Sequence, residues 1–179
     1  SEAGRKIVNY YLMRLLSHEA GTREGEDPEE LHDMRVAMRR LRAALRVFAP
    51  YYKKRTVKGH VKRLKRSARL LGAVRDLDVA LLEAEAYLAL LSAGRERDLD
   101  PLFEMWRTRR EKARQQMLDY MDSNKYLDLQ QSFALFVQQE GCGLTGLQDI
   151  PPEPVVVRHV LPALIYTQWA RVRAFEPIL

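Results

Sequence analysis

Two rows of basic side chains recur at the three- and four-residue spacing of an α-helix. The first row consists of His32, Arg35, Arg39, Arg42 and Arg46. The second row consists of Lys58, Lys62, Lys65 and Arg69, and further basic residues lie close to both rows: Arg40, Arg63, Arg66 and Arg75. Neither row contains an aromatic or amide side chain. Guanidinium and ammonium groups alone are suited to an anion built only from phosphates.

The charge is distributed very unevenly along the chain. Residues 31–75 contain fifteen Lys or Arg and one acid, Asp33, which makes this segment +14. Because the whole chain is +6, the remaining residues sum to −8. The rows place like charges at i,i+4, which costs about 0.2–0.5 kcal/mol per pair, and a bound polyanion would offset that cost. The sequence therefore predicts an anionic partner.

Helical periodicity extends through almost the whole sequence and predicts an all-α helical bundle. The first predicted helix covers about residues 2–19, and a turn from Gly21 to Gly25 follows it. Its expected buried face consists of Ile7, Tyr11 and Leu15. Asp27, followed by Pro28, predicts the start of a second helix that runs to about residue 48. The buried face of that helix is predicted to consist of Leu31, Met34, Met38, Leu41, Leu45 and Phe48.

The third predicted helix covers about residues 57–93 and stops at Gly94. Its expected buried face consists of Val57, Val61, Leu64, Ala68 and Leu71. Asp100 and Pro101 predict the start of a helix that runs to about residue 122, with a buried face of Leu102, Trp106, Ala113, Met117 and Tyr120. Two further helices are expected over about residues 125–139 and 155–174. The face of the last one includes Val160, Leu164 and Trp169, with Pro162 as a kink or first turn.

In the second and third helices the basic row follows the apolar face by one position. If these helices pack on their apolar faces, both rows line one groove. Gly72 then predicts a close approach of the helices. Asp76, an acid in a basic cluster, is expected to form a structural ion pair with Arg35 or Arg39.

Two segments also carry a resemblance: LHDMRVAMRRLRAALRVF over residues 31–48 and LKRSARLLGAVRDLDV over residues 64–79. Together they resemble the conserved histidine α-helical domain, the CHAD family, which implies binding of inorganic polyphosphate. The sequence lacks the alternating acidic and basic strands of a triphosphate-hydrolysing tunnel enzyme, so no enzymatic activity is expected. By this resemblance Arg75 and Asp76 match an RD pair, and the first basic helix is matched by His32, Arg35, Arg39, Arg40, Arg42 and Arg46. The positions Lys58, Lys62, Lys65 and Arg69 rest on the groove argument instead.

The resemblance also implies a domain of two similar helical halves. Residues 1–179 are expected to form a single helical domain that corresponds to the N-terminal half, with the second half outside this chain. An apolar face on the last helix then predicts self-association or pairing with a second helical half.

Other chemistries receive little support from the sequence. No carboxylate or thiol accompanies a histidine at metal-ligand spacing, so neither a metal nor another cofactor is expected. His32 lacks a partner for acid–base catalysis, and the G-x-G-x-x-G run that begins at Gly141 follows no strand. A nucleic-acid-binding helical protein and an enzyme acting on phosphate chains are the alternatives. The first is disfavoured because the rows lack Asn, Gln and aromatic residues.

No run approaches the roughly 20 apolar residues of a membrane span, so no membrane partner is expected. The expected location is the cytoplasm, with polyphosphate granules as a place of association.

Overall fold

The computed structural model describes residues 2–90, 99–145 and 157–174. Within these ranges the chain is all-α, as predicted, and the one β-feature is an isolated bridge between Tyr52 and Leu144. The helices are α1 (Glu2–Ser17), α2 (Glu19–Glu24), α3 (Pro28–Val47), a 3-10 turn (Ala49–Tyr51), α4 (Lys54–Leu88), α5 (Asp100–Met121), α6 (Asn124–Gln138) and α7 (Val157–Arg173). Two compact units contain them, Ser1–Leu144 with α1–α6 and Thr145–Leu179 with α7.

Helix α3 is central to the first unit and packs against α1, α2 and α4. Its start is the predicted one, because the Asp27 side chain accepts a hydrogen bond of 2.8 Å from the backbone N–H of Glu29 and Pro28 is the first helical residue. The predicted apolar face is confirmed, since all six of its residues are buried: Leu31, Met34, Met38, Leu41, Leu45 and Phe48.

The buried face of α1 differs from the predicted one. Val8, Leu12 and Leu15 are buried, whereas Ile7 is 37% exposed. The tertiary contacts with α3 and α6 select one of two neighbouring apolar stripes on this helix.

The predicted turn over residues 21–25 is wrong in its first half, because Gly21 lies inside α2. A β-carbon at Gly21 would lie 2.5 Å from Cγ of Glu30, so this glycine allows α2 to lie against α3. Gly25, with a φ of +74°, ends α2 in the left-handed conformation.

Helix α4 is continuous through Gly72. A β-carbon at Gly72 would lie 4.0 Å from the guanidinium of Arg35, an ordinary contact, so the close helix approach expected at this glycine is not present. The buried residues of α4 include two polar ones, His60 and Ser67, that the predicted face omits, whereas Val57, Val61 and Ala68 are half-buried. The helix is therefore rotated toward α5 and α6 relative to the expectation. The predicted stop at Gly94 lies outside the described residues.

Helix α5 begins at Asp100 itself, with Leu99 at the cap position and no side-chain cap bond. Phe103 is buried, whereas the predicted core residues Leu102 and Trp106 are half-buried. The other three predicted residues of this face are buried: Ala113, Met117 and Tyr120.

Helix α7 of the second unit contains Pro162 in its interior. Trp169 is exposed, and so are Leu161, Ile165 and Tyr166. The side chains of Val160 and Leu164, and residues 146–156, lie outside the described part of the chain. Pairing through this helix stays a prediction. Over the described ranges, no helix combines the length and the apolar character needed to cross a membrane.

Candidate anion-binding groove between α3 and α4

A groove with a volume of about 410 Å³ lies between α3 and α4. Helix α3 contributes a histidine and three arginines to it, and α4 contributes an arginine and an acid. We call it the α3–α4 groove, and its polar lining consists of His32, Arg35, Arg39, Arg42, Arg75 and Asp76. Small apolar side chains complete the lining: Val36, Ala68 and Val79.

The position of the α3 row follows from helix geometry. Each row residue follows a buried residue of the apolar face by one position, which is about 100° around the helix. The row therefore lies at the border of the core, where arginine stems are covered while guanidinium groups reach the groove. The structure brings together four of the five predicted residues of this row.

Two groove arginines are held by other residues of the chain. Arg35 Nη1 donates to the carbonyl oxygen of Gly72 and to Oδ1 of Asp76, both at 3.1 Å. Arg75 Nη2 donates to Oε1 of Glu29 at 3.2 Å. These bonds orient both guanidinium groups and offset part of their charge. Asp76 thus pairs with Arg35, one of its two expected partners.

The other two groove arginines have no counter-ion among the described residues. Arg39 is exposed, and neither Arg39 nor Arg42 forms an ion pair with a described side chain. Nε of Arg42 is buried without a hydrogen-bond partner in the described part of the chain. A buried donor left unpaired costs about 1–3 kcal/mol. An oxyanion at this position would accept from that donor.

His32 lines the groove half-buried, beside these arginines. A neutral imidazole can donate one N–H to a phosphate oxygen. Over the ranges that the structure describes, no group of three or more His, Cys, Asp or Glu could hold a metal ion.

The second row does not join the first in this groove. Lys62 lines a separate cleft on another side of α4, while Lys58, Lys65 and Arg69 are exposed and do not line the α3–α4 groove. The rotation of α4 toward α5 and α6 explains this difference, because it turns the lysine row toward solvent.

Four more of the expected residues also lie elsewhere, and one of them, Arg63, lines the same cleft as Lys62. Arg40 lies over the ring of Tyr11 on α1, 5.9 Å from its centroid. Arg46 is exposed and outside the groove lining, and Arg66 lies over the ring of Tyr120, 5.4 Å from its centroid.

Sequence reasoning missed two groups that position the groove arginines, the Gly72 carbonyl and the Glu29 carboxylate. The acceptors lie 37 and 46 residues along the chain from the arginines they bind. No helical spacing rule spans such a separation. Glu29 is recognisable in the sequence only as an acid in the first turn of a helix.

A family model described as the CHAD domain matches residues 6–175. Among solved structures, PptA from Streptomyces chartreusis is similar, with a TM-score of 0.62 and 17% sequence identity. The similarity covers 80% of this chain and 52% of PptA, so this chain spans about half the length of that protein. At this identity the likeness shows a shared fold. A search of curated proteins found no match.

Proposed function

This chain belongs to the CHAD domain family, and we propose that it binds inorganic polyphosphate in the α3–α4 groove. The observation that carries the proposal is the pair Arg39 and Arg42, two arginines that lack a counter-ion among the described residues and share the groove with two oriented ones. Phosphate oxygens would supply the missing acceptors through charge-assisted hydrogen bonds.

The groove chemistry favours polyphosphate over nucleic acid. Among the residues that the structure describes, its lining contains no Asn, Gln, Phe, Tyr or Trp. Asn and Gln amides read adenine edges, and Phe, Tyr and Trp rings stack on unpaired bases, so most base contacts have no partner in this lining, whereas its arginines match phosphate oxygens. A chain of phosphates presents the same oxygens at every unit.

The proposed role is binding without cleavage of the phosphate chain. The acid among the groove-lining residues, Asp76, is already paired with Arg35. This pair orients the arginine, and it occupies a carboxylate oxygen that a general base would use.

The test is a titration of the double variant Arg39→Gln, Arg42→Gln with polyphosphate at fixed salt. Hydrogen bonds to charged groups contribute about 1.5–3 kcal/mol each. Because Arg39 is exposed, we expect a combined loss of about 2 kcal/mol, which weakens binding about 30-fold. The matched control is Arg109→Gln, Lys112→Gln, which removes the same charge from exposed positions of α5.

Three observations complete this test. Far-ultraviolet circular dichroism checks that both variants keep their helices. Mixed-sequence DNA should compete poorly with polyphosphate, and no phosphate should be released with or without Mg²⁺. Equal affinities of the groove variant and the control variant would exclude the α3–α4 groove as the binding site.

A further inference from the structure

A second basic cleft lies on another side of α4, where this helix meets α5 and α6. Its volume is about 460 Å³. We call it the α4–α6 cleft, and it is lined by Gly59, Lys62, Arg63, Arg66, Tyr120, Lys125 and Asp128. The lining thus includes four cations and one acid. None of the four cations forms an ion pair with a residue in the described ranges.

Packing positions one cation of this cleft. The guanidinium of Arg66 lies over the ring of Tyr120, 5.4 Å from its centroid. The hydroxyl of that tyrosine shares a buried hydrogen bond of 2.8 Å with Oγ of Ser67, which fixes the ring. Arg66 is therefore held at the cleft by a cation–π contact, and no carboxylate of the described residues forms an ion pair with it.

The N-terminus of α6 adds positive potential to the same cleft. Lys125 lies in the first turn of α6, and Ser123 at the cap position makes no side-chain cap bond. Its hydroxyl donates instead to the carbonyl oxygen of Tyr120 at 2.6 Å. The first N–H groups of α6 therefore lack the side-chain acceptor that a serine cap usually provides, and anions are favoured at such a position.

The surface between the groove and the cleft is also basic. From Lys54 to Arg75, helix α4 contains nine Lys or Arg and no acid. The exposed residues of this stretch include the second predicted row: Lys58, Lys62, Lys65 and Arg69. A helix with its side chains is about 10–12 Å wide, so a path around half of it measures about 15–19 Å, and the nine residues from Arg66 to Arg75 add about 13.5 Å along the axis. A flexible polyanion can follow that path and contact a cation throughout.

We propose that the α4–α6 cleft is a second phosphate-binding site for the same polyphosphate chain, which crosses the basic face of α4 between the two sites. The inference rests on the proposed function of the α3–α4 groove. In this proposal the second row, which does not line the α3–α4 groove, contacts the phosphate chain between the two sites. Two linked sites convert the second contact into an intramolecular one, so affinity should rise once the chain is long enough to reach both.

The test compares long-chain polyphosphate with triphosphate, which is too short to reach both sites. The cleft variant is Arg63→Gln, Lys125→Gln, and the matched control is again Arg109→Gln, Lys112→Gln. We expect the cleft variant to bind long chains about tenfold more weakly than the control and to bind triphosphate within about twofold of it. Its log–log salt slope for long chains should also be smaller by about 1.4–1.8, because two cations fewer displace counterions.

The groove variant Arg39→Gln, Arg42→Gln separates the two hypotheses, because it should lose affinity for both ligands. If the cleft variant and the control bind long chains equally, the second site is wrong while the groove stands. If the cleft variant loses the same affinity for long chains and for triphosphate, the loss reflects the lower overall charge, and the second site is also wrong. If the groove variant binds long chains and triphosphate as tightly as the unmodified protein does, the proposed function of the groove is wrong. No binding of long chains by the unmodified protein would overturn both proposals.

Discussion

The buried side chain of His60 should make the unfolding free energy of this protein depend on pH. The side chain lies on α4 and is 6% exposed, with its ring centroid 4.4 Å from that of Phe133 and 5.0 Å from that of Phe136. Burial, together with a smaller effect of the nearby charge of Arg63, lowers the pKa of His60 from 6.5 to about 4. Nδ1 has no hydrogen-bond partner among the described residues. The folded protein therefore keeps His60 neutral well below pH 6.5.

The sign of the pH dependence follows from this lowered pKa. Below pH 6.5 the unfolded chain binds a proton at His60 that the folded chain does not bind. The stability that the neutral ring contributes is fully present above pH 6.5 and is lost as the pH falls toward about 4. The difference between the two pKa values corresponds to about 3 kcal/mol of unfolding free energy.

The perturbation is His60→Phe, which keeps an aromatic ring against Phe133 and Phe136 and removes the titrating group. Urea unfolding followed by circular dichroism gives the unfolding free energy of both proteins between about pH 7.5 and pH 4.5. Over this range the unmodified protein should lose about 2–3 kcal/mol more than the variant. A larger ring can change stability equally at every pH, and the comparison of slopes cancels that effect. Parallel pH profiles would refute the argument.

Three other substitutions test single positions: two should lower the unfolding free energy and one should raise it. Asp76→Asn should lower the unfolding free energy by less than about 1 kcal/mol, because the pair with Arg35 is largely exposed, and should strengthen polyphosphate binding in titrations, because it removes an acid from the groove. Gly25→Ala should destabilise by about 2 kcal/mol or more in urea unfolding, because its φ is +74° and its β-carbon would collide with the guanidinium of Arg114. Gly72→Ala should instead stabilise by about 0.5–1 kcal/mol, because its β-carbon has space inside a continuous helix. A loss of stability in Gly72→Ala would contradict this geometry.

The site was predictable where it depends on one helix. The three- and four-residue spacing of α3 fixed its buried face and, one position later, the row that includes Arg39 and Arg42. The angle between two side chains on the same helix depends only on their separation in the sequence. The same local logic located the start of α3, since Asp27 contacts a backbone N–H two residues away.

The remaining features depend on how helices pack against one another, which no spacing within a helix determines. Ser67 bonds to Tyr120 and His60 packs on Phe133, and these contacts with α5 and α6 set the rotation of α4 about its axis. That rotation separates Lys62 from the α3–α4 groove and brings it to a second cleft. The sequence by itself determined which residues are cationic and which of them share a helix face. Only the tertiary structure decided which faces meet, because that choice depends on the shapes of side chains far apart along the chain.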